Sequence, residues 1–144
     1  MIWESNPSLE MLNATGNNTM VSHLGIEFTE IGDDYLIAKM PVDHRTHQPM
    51  GLLHGGASVA LAETLGSVAS VVSQKNPFDR AVVGVEINAN HLSSARNGYV
   101  YGKVTPIKVG RNIHVWNIEI VDDSDKKICI SRLTTTLLEK RTKS

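Results

Sequence analysis

One cysteine in 144 residues excludes an internal disulfide framework and a cysteine metal site. Cys129 alternates with Ile128 and Ile130, the pattern of a small core residue, and a reducing compartment fits it. Charge of either sign is not in excess. With 14 Lys and Arg against 15 Asp and Glu, the formal charge is −1, which indicates neither disorder nor affinity for nucleic acid. The start, Met1-Ile-Trp-Glu-Ser-Asn-Pro7, has no basic cluster and no apolar run, so no signal peptide is expected. The longest stretch of low charge holds Glu63, two glycines at its start and several serines, a poor match to a membrane span. Internal repeats and low-complexity tracts are absent. The expectation is one domain over residues 1–144, cytoplasmic, with neither nucleic acid nor membrane as partner and a frayed basic tail over 139–144.

Scarcity of charge also marks the central segment. Between His54 and Lys75 the only charged side chain is Glu63, set among small and apolar residues. Burying a carboxylate costs several kcal/mol unless something offsets it, and no lysine or arginine lies one helical turn away to do so. Ala57, Ala60, Leu61, Ala62, Leu65, Val68, Ala69 and Val72 are apolar nearly all round, which predicts a helix enclosed by protein. Gly55 and Gly56 free the backbone at its start, where first-turn N–H groups lack intrahelical acceptors and can donate to an anion or a polarised carbonyl. His54 stands beside them. Ser67 and Ser70 follow Glu63 at i+4 and i+7, so the three are expected on one face as a polar seam.

Around this helix the text is mostly strand. Ser8 reads as the N-cap of a short helix through Leu12, and Met20 to Leu24 as one further turn. Ile26 to Ile31 and Tyr35 to Met40 flank the turn Gly32-Asp-Asp34 as a hairpin. Val42 to Met50 has no periodicity and reads as a loop leading into the helix. Ala81 to His91 alternates, with Val83, Val85, Ile87 and Ala89 on one face and Gly84, Glu86, Asn88 and Asn90 on the other; Glu86, Asn88 and Asn90 are expected as strand-face or subunit-contact residues. Tyr99–Val109, Asn112–Val121 and Ile128–Leu138 follow, joined by short links that predict antiparallel hairpins. The order β-β-α-β-β-β-β predicts an α+β fold in which one antiparallel sheet wraps a long central helix.

Three other sites fail on their residues. His44, His47 and His54 lack a His and carboxylate at fixed helical spacing, so no metal is expected. Gly51 and Gly56 have a P-loop's gap, but Ala57 stands where lysine is required. Gly56-Ala-Ser58-Val-Ala60 lacks the second glycine of a nucleophile elbow.

Taken together, Met40-Pro-Val-Asp43, Arg45-Thr-His-Gln48-Pro, Gly51-Leu-Leu-His-Gly-Gly-Ala-Ser58, Leu61-Ala-Glu-Thr-Leu-Gly-Ser67, Val85-Glu-Ile-Asn-Ala-Asn-His91 and Ser131-Arg-Leu-Thr134 resemble the hotdog-fold acyl-CoA thioesterases of the PaaI-like, Arthrobacter-type 4-hydroxybenzoyl-CoA group. The likeness is nearest to enterobacterial members acting on 1,4-dihydroxy-2-naphthoyl-CoA, in menaquinone biosynthesis, or on acylated aryl carrier protein in enterobactin synthesis. It implies hydrolysis of an aromatic, and also a medium-chain, acyl thioester of CoA or a carrier protein. Glu63 would act as general base or as nucleophile, and the residues leave that choice open. The Gly55 N–H would polarise the thioester carbonyl, Gln48 and His54 would orient it, and Ser67 would position water or substrate. His91, Ser94 and Arg96 would contact CoA, which is substrate; no separate cofactor is implied. Many relatives carry arginine where this chain has Ser93, and Arg96 or Arg111 could supply the missing cation. Val68, Val71 and Val72 either line the acyl pocket or pack the core. The resemblance further implies a homotetramer, a dimer of dimers, with each site shared across a dimer interface. The rival functions are a hotdog hydratase or dehydratase and a non-catalytic acyl-CoA binding module.

Overall fold

The computed structural model describes residues 1–141. Two short helices, α1 (Leu9–Ala14) and α2 (Met20–His23), precede strands β1 (Glu27–Ile31) and β2 (Leu36–Pro41). The long helix α3 (Gly55–Val72) comes next, then β3 (Arg80–His91), β4 (Tyr99–Val109), β5 (Ile113–Asp122) and β6 (Lys127–Glu139). Ser8 caps α1 as expected, accepting from the Met11 N–H at 3.1 Å. Glu139, expected to begin the frayed tail, instead closes β6 opposite Arg80, and residues 142–144 of that tail lie outside the described residues.

The six strands form one antiparallel sheet in the order β1-β2-β4-β5-β6-β3. Short links make the neighbours β4–β5 and β5–β6, whereas β2–β4 and β3–β6 are joined across longer intervals. The sheet wraps α3, burying Leu61, Leu65, Ala69 and Val72 against Leu36, Met40, Val104, Trp116, Ile118 and Leu133. Such a helix satisfies its apolar surroundings by being enclosed on most sides. Contrary to the expectation from Glu63 and the serines, α3 is by length and composition apolar enough to cross a membrane, yet half of it is buried inside this domain, as in the core helix of a globular fold. β3 and β1 are the sheet edges.

One predicted feature of β3 is wrong. A bulge between Gly84 and Glu86 makes Val85 an extra residue, so alternation does not run through the strand. Gly84 faces α3 before the bulge and Ile87 and Ala89 face the core after it, while Val83 and Val85 point away, 43% and 60% exposed. A bulge reverses the facing of everything beyond it, and single-sequence periodicity passes over one inserted residue.

Candidate active site

The loop before α3 is built to present the helix start. Asp43 accepts from the Arg45 N–H at 2.9 Å and pairs with the Arg45 guanidinium at 2.6 Å, and those hydrogen bonds hold its carboxyl down to about 2. The buried Thr46 hydroxyl donates to the Pro41 carbonyl at 2.7 Å. The Leu53 N–H donates to the Ala95 carbonyl and His47 Nε2 to the Arg96 carbonyl, both at 2.8 Å, which ties the loop to the Ser93–Gly98 turn.

His54 then becomes the N-cap of α3, in extended conformation (φ −69°, ψ 131°). Its Nδ1 accepts from the Gly56 N–H at 2.7 Å, so the ring proton sits on Nε2. Among the described residues the Gly55 N–H has no acceptor. His91, at the end of β3, closes over the same spot: a Cβ on Gly55 would lie 2.8 Å from His91 Nε2. The structure therefore gathers His54, Gly55 and His91. Gln48 sits in the turn of the preceding loop, where its side-chain carbonyl accepts from the Met50 N–H.

Glu63 stands eight residues further along α3, about 12 Å up the helix axis from Gly55. It is half-buried, and among the described residues its carboxylate has neither a hydrogen bond nor an ion pair. One oxygen faces Gly84 of β3. Beside it, Thr64, Ser67 and Val68 line an open cavity of about 380 Å³ together with Leu12, Thr15, Val21 and Phe28. Val68 also borders a second, mainly apolar cavity of about 320 Å³ with Val71, Val72 and Phe78. The wall supplied by α1, α2 and β1 escaped sequence reasoning. Its one signal was an apolar turn, Leu9, Met11 and Leu12, with no assigned partner.

Ser70 leaves the expected polar seam. Two turns beyond Glu63 the helix meets β5 and β6, and Ser70 is fully buried there, donating to His114 Nδ1 at 2.9 Å and accepting from Trp116 Nε1 at 2.7 Å and the Thr135 hydroxyl at 2.8 Å. It is a core hydrogen-bond hub.

Ser94 and Arg96 line a polar recess of about 300 Å³ with Asp122, Asp123 and Lys126, near the sheet end that carries His91. Lys126, which sequence reasoning passed over, reaches that turn, its ammonium donating to the Ser94 carbonyl at 3.1 Å. Arg111 does not. It lies in the β4–β5 turn at the opposite end of the sheet, where its carbonyl accepts from Arg80, so within one chain it cannot replace a cation at Ser93.

A helix-end donor, a partnerless carboxylate and an adjoining cavity suit attack on a polarised carbonyl. Residues 50–129 match the family model described as Thioesterase superfamily. The chain belongs to that superfamily. This thioesterase is 54% identical over 138 residues to the 1,4-dihydroxy-2-naphthoyl-CoA hydrolase of Escherichia coli, covering 96% of this chain and 100% of the relative. To the proofreading thioesterase EntH of Cronobacter turicensis it is 51% identical, covering 96% and 99%. The solved thioesterase HI1161 of Haemophilus influenzae superposes with a TM-score of 0.92 at 50% identity, covering 96% of each chain. The fold is the hotdog fold, and the protein is a thioester hydrolase.

Proposed function

We propose that this thioesterase hydrolyses aromatic acyl-CoA thioesters, with 1,4-dihydroxy-2-naphthoyl-CoA as the leading substrate, and that each site combines Glu63 of one subunit with the Gly55 N–H, His54 and Gln48 of its partner. The observation that carries the proposal is the separation within one chain. Gly55 and Glu63 are about 12 Å apart along a rigid helix, while the donor and base acting on one carbonyl must each lie about 3 Å from the reacting atoms. A second copy solves this if two β3 edges pair antiparallel. β3 is a long exposed edge of twelve residues, the kind of surface that recruits another strand. Such pairing brings the His91 end of one subunit, with its Gly55 N–H, alongside the Gly84 region of the other, where Glu63 emerges. A dimer of such dimers is the assembly we propose, in the cytoplasm, as the buried thiol of Cys129 suits.

In this site the thioester carbonyl oxygen accepts from the partner's Gly55 N–H, and the neighbouring His54 Nε2–H supplies a second donor on the same side. The acyl group occupies the cavity bordered by Ser67 and Val68, and the CoA portion leaves past His91 toward Ser94 and Arg96. Glu63 takes the proton of an attacking water or attacks the carbonyl itself. If water attacks, the carbon–sulfur bond breaks to give the acid directly. If Glu63 attacks, the same bond breaks to leave an acyl–Glu63 anhydride, which a water then hydrolyses to free the acid and restore the carboxylate. In either case CoA departs as thiolate and gains a proton. A cavity that selects by shape separates substrates differing by one methylene by only about 1–3 kcal/mol, so medium-chain acyl groups are accepted too. A carrier-protein thioester presents the same phosphopantetheine arm and is the second reading, favoured by the name of the Cronobacter relative.

The test is free-thiol release from 1,4-dihydroxy-2-naphthoyl-, 4-hydroxybenzoyl- and hexanoyl-CoA by wild type and by Glu63→Gln. The variant is expected to lose about 10²–10⁴-fold in kcat. Near wild-type rates would remove Glu63 from the mechanism, and a wild type that binds CoA esters without releasing thiol would make the protein a binding module.

A further inference from the structure

Gly84 is the one position on β3 whose missing side chain is filled by another residue's functional group. A Cβ built there would lie 2.6 Å from Glu63 Oε1, 3.7 Å from its Cδ and 4.0 Å from Leu133 Cδ1. The backbone does not demand glycine at this point: the positive-φ glycines are Gly25, Gly51 and Gly98. Space is the reason for the glycine. One turn beyond Glu63, a Cβ on Gly66 would lie 2.5 Å from Leu133, so helix and sheet approach as closely as side chains permit. A glutamate on that helix face has room only if the strand opposite is bare.

The bulge adds to this. Gly84 is the last regularly paired residue before the register shifts, and the inserted Val85 turns outward, leaving the carboxylate against open backbone at the sheet edge. We propose that Gly84 is a positioning residue for the hydrolytic reaction: its bare Cα and the adjoining bulge form a port that seats the Glu63 carboxylate at the β3 edge, in the orientation that reaches the thioester. This rests on Glu63 being the reacting carboxylate, as proposed above.

Replacing Gly84 by alanine puts a methyl group where the carboxylate oxygen now lies. The obstructing atom is the far end of a flexible side chain, so the fold survives by swinging Glu63 aside. Displacement of a reacting group by about 1 Å can cost about 10²-fold in rate, and that loss is expected in kcat with KM changed less than threefold. The decisive measurement is a double-mutant cycle on thiol release with Gly84→Ala, Glu63→Asp and the pair together, each checked for unchanged melting behaviour and assembly. Aspartate is one methylene shorter and fits beneath the new methyl group. Gly84→Ala is therefore expected to cost little once position 63 is Asp, and the two effects to be strongly non-additive. Wild-type kcat in Gly84→Ala, or losses that simply multiply, would overturn the port. Glu63→Gln run alongside separates the failures: if it stays active the catalytic reading falls, and if it is dead while Gly84→Ala is fully active only the port falls.

Discussion

The donor role of the Gly55 N–H can be tested by deleting one hydrogen. Gly55 is the first residue of α3, the position where proline is best tolerated because its missing N–H has no intrahelical partner. A residue before proline must be extended, and His54 already is, at φ −69° and ψ 131°. Gly55→Pro should thus keep the helix and the His54 cap while removing the Gly55 N–H, which has no acceptor among the described residues, the new ring crowding the exposed His91 imidazole. Loss of a single oxyanion donor costs about 10²–10³-fold in kcat. Gly55→Ala crowds His91 equally but retains the N–H, and is expected to stay within about tenfold of wild type. The subunit arithmetic follows from the 12 Å separation. Mixing Gly55→Pro chains with Glu63→Gln chains in equal amounts, after dissociation and reassembly, makes half of the dimers mixed. Each mixed dimer has one intact site of two, so about a quarter of wild-type thiol release should return from two nearly dead parents. No recovery in demonstrably mixed dimers would refute the shared site. Full activity in Gly55→Pro would refute the donor.

Two further outcomes are expected. Burial pushes the His114 imidazole below its ordinary value, while its Nδ1 accepts from Ser70, so the unfolded chain binds the proton more readily; stability is complete above about pH 6.5 and falls as pH drops through that value toward the folded pKa. Urea midpoints at pH 8 and pH 5 should show the loss, and His114→Gln should flatten that part of the slope. At the dimer edge, Asn88→Cys alone, or Glu86→Cys mixed with Asn88→Cys, should form an intersubunit disulfide on mild oxidation, and if neither cross-links the β3 edges do not pair as proposed.

The parts of the fold that local chemistry specifies were readable. Ser8 as a cap, the turns at Gly110-Arg111 and Asp122–Asp125, and the enclosed helix through Val72 all follow from residues near one another in the chain. What was not readable depends on partners far away. β3 lies beside β6 at the sheet edge although two strands separate them in sequence, and no local signal at Arg80 names that neighbour. The bulge at Val85 is invisible to a period of two, and the fates of Ser67 and Ser70 diverge because the helix passes from cavity wall to core within one turn. Of the nominated site residues, His54, Gly55 and His91 meet at the helix start, Glu63, Ser67 and Val68 share the cavity, and Gln48 is held in the preceding turn by the Met50 N–H.

That division has a geometric consequence for the assembly. Gly55 lies beside His91 and Glu63 beside Gly84, so in the proposed dimer the pairing that unites these two groups must set the partner's Gly84 nearly abreast of His91. The midpoint of those positions falls between Ile87 and Asn88. A twofold axis perpendicular to a continuous sheet keeps both helices on one side, and directly opposed residues in an antiparallel pair share a face. Ile87 faces inward and Asn88 outward, so they cannot oppose one another, and the axis must pass through Ile87 or through Asn88. The first choice sets Asn88 against Glu86 of the partner and the second sets Asn88 against itself, which is why those two cysteine pairings distinguish the registers. The eight-residue spacing from Gly55 to Glu63 is thus the feature of the sequence that carries the proposed dimer: the two groups that the proposed mechanism brings to one carbonyl are held about 12 Å apart on a single rigid helix.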